Sequence, residues 1–86
     1  MASNSEGLDV ARKLDRITIN PAVMNGQPCI RGMRMRVVDI LQMLAGGMTT
    51  EEILADFDFL EADDVRASIL YAANLLDRHI ILRAAE

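Results

Sequence analysis

Residues 20–36 constrain the fold more than any other part of the chain. This segment contains both prolines, Pro21 and Pro28, two of the five glycines, Gly26 and Gly32, and three arginines. Proline fixes φ and lacks an amide donor, whereas glycine permits positive φ, so the segment cannot continue as a regular helix. We therefore expect a turn-rich stretch of defined shape, followed directly by an apolar helix.

The same segment concentrates positive charge in an otherwise acidic protein. Residues 1–36 contain six basic and three acidic side chains, whereas residues 37–86 contain three basic and ten acidic ones, giving net charges of +3 and −7. Arg31, Arg34 and Arg36, which we call the basic platform, lie just ahead of the helices. Such an asymmetry favours binding, either of nucleic acid by the basic half or of a basic partner by the acidic half.

Length and cysteine content predict one small domain in a reducing compartment. The 86 residues include a single cysteine, Cys29, so an internal disulfide is excluded. No apolar run reaches the roughly 20 residues that a membrane span needs, and residues 1–9 lack the apolar core of a signal peptide. We expect a cytoplasmic protein with a flexible or partly helical segment at 1–14, a domain at 15–78 and an extension at 79–86.

Two short strands are predicted on either side of the turns. Residues 17–19 are all β-branched, and residues 33–37 alternate apolar and basic side chains. Asn25 and Gly26 form a strong turn signal between them. The two strands pair either within one subunit or with those of another copy.

The sequence pattern predicts three helices after residue 37. Residues 38–45 have helical apolar spacing and end at Gly46 and Gly47, and Thr49 with Glu52 forms a capping box for a short second helix. The third helix begins at Ala62 or Asp63 and runs to about residue 77 or beyond, with residues 79–82 either extending it or forming a strand. Its expected apolar face consists of Val65, Ile69, Leu70, Ala72, Ala73 and Leu76.

This order predicts a mainly α fold with a three-helix, helix-turn-helix core preceded by two short strands. In such a core the third helix reads DNA, but its first turn carries Glu61, Asp63 and Asp64, which repel phosphate. If DNA is bound, arginines are the better candidates, and they are Arg16, Arg31, Arg34, Arg36 and Arg66.

Catalytic and metal chemistry find little support in the sequence. The only histidine, His79, lies in an apolar run far from Cys29, and nothing orients it as a base. One cysteine and one histidine do not supply the ligands of a zinc site. We predict no enzyme, no catalytic residue, no metal and no cofactor.

The chain resembles a prokaryotic family known as domain of unknown function 433. The resemblance is carried by a motif turn, Asn25, Gly26, Pro28, Cys29, Arg31, Gly32 and Arg34, and by the segments 16–18, 47–49, 51–54 and 70–72. This chain departs from the family pattern at Gln27, where lysine is usual, at Met33, where threonine is usual, and at Glu61, where threonine or serine often caps the third helix.

The resemblance implies a homeodomain-like or winged-helix-like fold and an antitoxin paired with a PIN-type ribonuclease toxin. The antitoxin would block the ribonuclease and also repress its own operon by binding DNA. Residues expected to contact the toxin are Asp63, Asp64, Arg78 and Arg83. Two other functions stay open, namely a stand-alone DNA-binding transcriptional regulator and a structural interaction module.

The apolar content of the chain also predicts a homodimer or a larger homo-oligomer. A small monomer cannot readily cover every apolar position outside the helical core. These positions are Ile17, Ile19, Met33, Met35, Ile80 and Leu82.

Overall fold

The computed structural model describes residues 12–84, and it describes side chains from residue 12 to residue 77. Residues 12–14 are helical and precede a small antiparallel sheet, which is followed by three helices. The elements are β1 (Ile17–Thr18), a 3-10 turn (Met24–Gly26), β2 (Cys29–Ile30), α1 (Val37–Ala45), α2 (Thr50–Asp56) and α3 (Ala62–Ala84). This is the mainly helical fold with two preceding strands that the sequence predicts.

The predicted second strand at residues 33–37 is wrong, because β2 occupies Cys29–Ile30 instead. Ile17 pairs with Ile30 and Thr18 with Cys29 in the antiparallel sheet. Residues 33–37 follow the tight turn after β2. They pair with β2 through an isolated antiparallel bridge between Cys29 and Arg36, beside which the Ile30 amide donates to the Met35 carbonyl at 2.9 Å. Because both strands belong to one chain, the sheet forms within a subunit.

Positive φ angles shape the motif turn. Asn25 and Gly26 have φ of 59° and 80°, and Arg31 and Gly32 have φ of 44° and 73°. The second pair forms a tight turn, in which the Met33 amide donates to the Ile30 carbonyl at 2.7 Å. Glycine adopts this left-handed region without steric cost, which explains its place in each pair.

The first two helices begin and end much as the sequence predicts. α1 starts one residue earlier than expected, at Val37, and Gly47 follows it with φ of 101°. In the capping box of α2, the Glu52 amide donates to Thr49 Oγ1 at 3.1 Å and the Thr49 amide donates to Glu52 Oε1 at 2.8 Å. Both reciprocal bonds satisfy amides that a helix start leaves unpaired.

α3 begins at Ala62 and continues to Ala84, so residues 79–82 extend the helix. Its predicted apolar face is partly wrong, since Ile69 is 48% exposed and Leu76 is 62% exposed. Ala73 is exposed as well. The buried side of the helix instead carries Asp64, Val65, Ala67 and Ser68. Asp64, which the sequence analysis assigned to partner binding, is thus buried within the chain.

The core gathers one or more side chains from β2 and from each helix. Ile30, Ile40 and Ile53 are fully buried, and each such burial contributes about 1.5–3 kcal/mol. The cluster consists of Ile30, Met35, Val37, Ile40, Ile53, Leu60 and Val65. It covers the beginning of α3 and leaves the later turns of that helix more exposed.

Candidate functional site

Asp64, on the first turn of α3, is the centre of a charged cluster that we call the arginine clamp, with Arg16 and Arg31 as its other members. The Asp64 side chain is fully buried, whereas those of Arg16 and Arg31 are 27% and 36% exposed. Asp64 Oδ1 accepts from Arg16 Nη1 at 2.9 Å and from Arg31 Nε at 3.0 Å. Asp64 Oδ2 accepts from Arg31 Nη2 and from the Glu61 amide, both at 2.8 Å.

The clamp joins three distant parts of the chain. Arg16 directly precedes β1, Arg31 follows β2, and Asp64 belongs to α3. Arg31 Nη2 also donates to the Phe59 carbonyl at 2.8 Å, and Arg16 Nη1 donates to Glu61 Oε1 at 2.6 Å. These bonds hold the turn before α3 against the sheet.

Electrostatics keep all three groups of the clamp ionised. Burial alone would raise the pKa of Asp64, but hydrogen bonds from Arg31, the Glu61 amide and Arg16 outweigh it and lower that pKa below its ordinary value. The pKa of Arg31 is raised by its bonds to Asp64, and that of Arg16 by its bonds to Glu61 and Asp64. A buried carboxylate with four donors is fully satisfied, so it stabilises the fold without further ligands.

The clamp changes which predicted residues are available for binding. Arg16 and Arg31 direct their guanidinium groups to carboxylates of the same chain, and the Asp64 side chain has no surface exposure. Asp63 remains partly exposed and accepts from Arg66 Nη1 at 2.8 Å. Arg78 and Arg83 lie outside the residues whose side chains are described.

The other arginines of the basic platform differ from each other. Arg36 Nη2 donates to Asp39 Oδ1 at 2.7 Å and its Nη1 donates to Gln27 Oε1 at 3.0 Å, so its side chain braces the start of α1. Hydrogen bonding by Arg36 lowers the pKa of Asp39. Arg34 is exposed, and its side chain has no ion pair within the described part of the chain.

Beside Arg34 lies an open recess of about 470 Å³ between α1 and the end of α2. Its apolar walls are Met35, Met43 and Phe57, and polar groups of Arg34, Asp39 and Gln42 stand around them. Phe57 also contacts Phe59 edge to face, with ring centroids 6.1 Å apart. A deformable apolar floor with a charged rim has the composition of a protein-binding surface.

Two further residues of the motif turn, Cys29 and Pro28, have structural positions. Cys29 is buried in β2 as a free thiol. The Pro28 carbonyl accepts from the Val37 amide at 2.9 Å and so connects the motif turn to α1. Within the described residues, no three histidine, cysteine, aspartate or glutamate side chains come together as a metal site would require.

Arg16, Arg31 and Asp64 were all identified from the sequence as candidate binding residues, but the contact between their side chains was not predicted. The sequence analysis treated Asp64 as a surface acid at a helix start, because Asp63 and Glu61 beside it are such acids. One signal was available, since Asp64 lies four residues before Ser68 and seven before Tyr71, on the buried side of α3. An acid at a core position requires a buried partner, and arginine is the usual one.

The fold and the site therefore define a class of small, mainly helical domains in which an arginine clamp joins the N-terminal sheet to the start of α3. A family model described as "Protein of unknown function (DUF433)" matches residues 17–72. The chain belongs to this family, and the match includes Arg31 and Asp64 of the clamp.

Two uncharacterised bacterial proteins are similar in sequence to part of this chain. The chain is 33% identical over 73 residues to the uncharacterised protein y4eO of Sinorhizobium fredii, covering 84% of this chain and 33% of that protein. It is 40% identical over 50 residues to the uncharacterised protein Rv2308 of Mycobacterium tuberculosis, covering 58% of this chain and 21% of that protein. The chain thus spans a third or less of the length of these relatives.

The structural neighbour covers most of the chain. A crystal structure of a DUF433 member protein from Anabaena variabilis superposes with a TM-score of 0.64 at 30% identity. The superposition covers 90% of this chain and 80% of that one. In the present chain, none of the helices within residues 12–84 combines the length and the apolar character needed to cross a membrane.

Proposed function

We propose that this protein is a non-enzymatic, antitoxin-like binding protein whose partner is another protein, a ribonuclease of the PIN type. The toxin class comes from the resemblance of the motif turn and helices to antitoxin-like family members. The recess beside Arg34 is the observation that carries the proposal. Its adaptable methionine walls fit an apolar side chain of the partner, and Arg34 on the rim fits a partner carboxylate.

The charge of the proposed partner site supports the same surface. A metal-dependent ribonuclease gathers carboxylates to hold its metal, and an arginine introduced among them competes with the metal by pairing with those acids. Arg34 is exposed and has no competing acid partner among the described residues, unlike Arg16, Arg31, Arg36 and Arg66. Of the three arginines of the basic platform, it is therefore the one best suited to this role.

The start of α3 supports a protein partner over DNA. Asp64 is buried, and the three arginines beside this first turn, Arg16, Arg31 and Arg66, are already paired with its acids. Among the described residues, the start of α3 therefore offers no unpaired cation to the phosphates of a DNA backbone, which such binding requires.

DNA binding remains the second candidate function, as a means by which the protein represses its own operon. Exposure of Arg34 and Arg66 favours it, since both guanidinium groups lie at the surface. Counterion release would then make the affinity fall steeply with salt. A titration of labelled operator DNA over a salt series tests this, and binding that is absent or insensitive to salt contradicts it.

The main proposal is tested by capture from nuclease-treated lysate of the native host, followed by affinity measurement with the purified ribonuclease. We expect stoichiometric recovery of a PIN-type ribonuclease and inhibition of its RNA cleavage. Arg34→Glu should weaken binding by about 30-fold or more if Arg34 is a central contact. Arg66→Glu is the matched control, because it makes the same charge change at another exposed position. Failure to recover a ribonuclease, or equal effects of the two variants, would contradict the proposal.

A further inference from the structure

The later turns of α3 are bordered by two recesses, neither of which faces the Arg34 surface. One recess, of about 270 Å³, lies between α3 and β1, and the other, of about 250 Å³, lies between α3 and α1. Tyr71 and Leu75 line both recesses and so form a ridge between them. We call this surface the apolar face and define it by Ile19, Val38, Leu41, Tyr71 and Leu75.

Several large side chains of the apolar face are uncovered. Ile19 is 62% exposed, Leu75 is 44% exposed and Val38 is 39% exposed. Leu76, the next residue on α3, is 62% exposed. Contiguous exposed apolar groups of this kind mark an interaction site, whereas isolated ones do not.

Charge decides what covers the apolar face. Every residue that lines the two recesses in the described part of the chain is uncharged. Residues 1–36 carry a net charge of +3 and residues 37–86 one of −7, so a two-fold contact that placed either charged surface against itself would be repulsive. A neutral surface lets two copies approach without placing like charges against each other.

The shape of the apolar face is also complementary to itself. A ridge flanked by recesses can meet an identical surface after a two-fold rotation, since the ridge of each copy then enters a recess of the other.

We propose that the apolar face binds a second copy of this chain, in a two-fold symmetric contact centred on Leu75. Each Leu75 packs into a recess of the other copy, and Tyr71 becomes buried between them. The Arg34 recess stays outside this contact, so a dimer presents two such recesses to its protein partners. This inference does not depend on the identity of those partners.

Sedimentation velocity over a concentration series tests the proposal on the full chain. We expect the wild type to form a dimer and Leu75→Glu to raise the dissociation constant by about 30-fold or more, as a central interface residue does. Ala73→Glu is the matched control, because it adds the same charge at an exposed position on the other side of α3. This control variant should dimerise like the wild type.

Tyr71 supplies an independent readout, since the chain has one tyrosine and no tryptophan. Acrylamide quenching of its fluorescence should decrease as the wild type is concentrated and stay high in Leu75→Glu. Circular dichroism verifies that the variant is folded, and if it is not, Ile19→Glu, directly after β1, provides the same comparison. A wild type that stays monomeric, or a Leu75→Glu variant that dimerises like Ala73→Glu, would overturn the proposal.

Discussion

The two parts of α3, residues 62–68 and residues 69–77, differ in what their side chains contact. Residues 62–68 carry one acid and one serine on the buried side, Asp64 and Ser68, and both have partners within the chain. Residues 69–77 carry apolar side chains that the core leaves exposed, among them Ile69, Leu75 and Leu76. Within α3, the buried charge therefore stabilises the fold, while uncovered apolar surface remains for binding. The sequence analysis had instead assigned partner binding to the charged residues of this helix.

The largest effect should come from breaking the clamp at its centre. Asp64→Asn leaves two arginines facing a neutral group, and loss of a buried partner costs 3–5 kcal/mol when both charges are buried. Because Arg16 and Arg31 are partly exposed to solvent, we expect a loss of about 2–4 kcal/mol in the free energy of unfolding. Urea denaturation measures it. Asp63→Asn, at the exposed neighbouring position, should change the free energy by less than about 0.5 kcal/mol.

Acid should weaken the same half of the helix. The folded-state pKa of Asp64 lies below its ordinary value, so its contribution to stability is present above the unfolded pKa of about 3.9 and disappears as the pH falls below it. The wild type should therefore lose stability progressively as the pH falls below about 4 toward the lowered folded-state pKa of Asp64, and Asp64→Asn should lose less. Asp39, whose pKa is also lowered, leaves some acid dependence in the variant. Equal acid sensitivity in both proteins would show that Asp64 is not clamped.

The two arginines of the clamp should differ in importance. Arg31 donates twice to the buried Asp64 and once to the Phe59 carbonyl, whereas Arg16 donates once to Asp64 and once to the exposed Glu61. Lysine cannot reproduce the paired geometry, so Arg31→Lys should destabilise the fold by about 1 kcal/mol, and Arg16→Lys by less. Thermal denaturation of the two variants decides this order, and the reverse order would be inconsistent with the geometry.

The smallest effect on stability should come from the second part of α3. Leu75→Gln in dilute solution, where the chain is monomeric, should change the free energy of unfolding by less than about 0.5 kcal/mol, since Leu75 is already half exposed. A loss comparable to that of Asp64→Asn would mean that Leu75 belongs to the core of a single subunit.

Local signals in the sequence were sufficient for the helices. The capping box of Thr49 and Glu52, the glycines after α1 and the acids at the start of α3 each act within a few residues, so their positions could be predicted. The alternation in residues 33–37 predicted a strand, and Met35 was expected among the positions that a second copy covers, which is wrong because Met35 belongs to the core of the single chain. The alternation did not indicate which backbone groups pair, because the turn at Arg31 and Gly32 determines that.

Those local signals could not predict contacts between residues that are distant in the sequence. Arg16 and Asp64 are separated by 48 residues, and Arg31 and Asp64 by 33. Nothing in local spacing connects them, so Asp64 was interpreted as a residue for partner binding. The apolar face was partly foreseen, since Ile19 was among the positions expected to need a second copy.

Hydrogen–deuterium exchange of α3 at low and high protein concentration tests the contrast between its two parts most directly. We predict that amides of residues 64–68 are protected at both concentrations, because the clamp and core hold them within each subunit. Protection of residues 71–77 should increase with concentration as the second copy covers the apolar face. Protection of residues 71–77 that does not depend on concentration, or faster exchange in residues 64–68 than in residues 71–77, would contradict it.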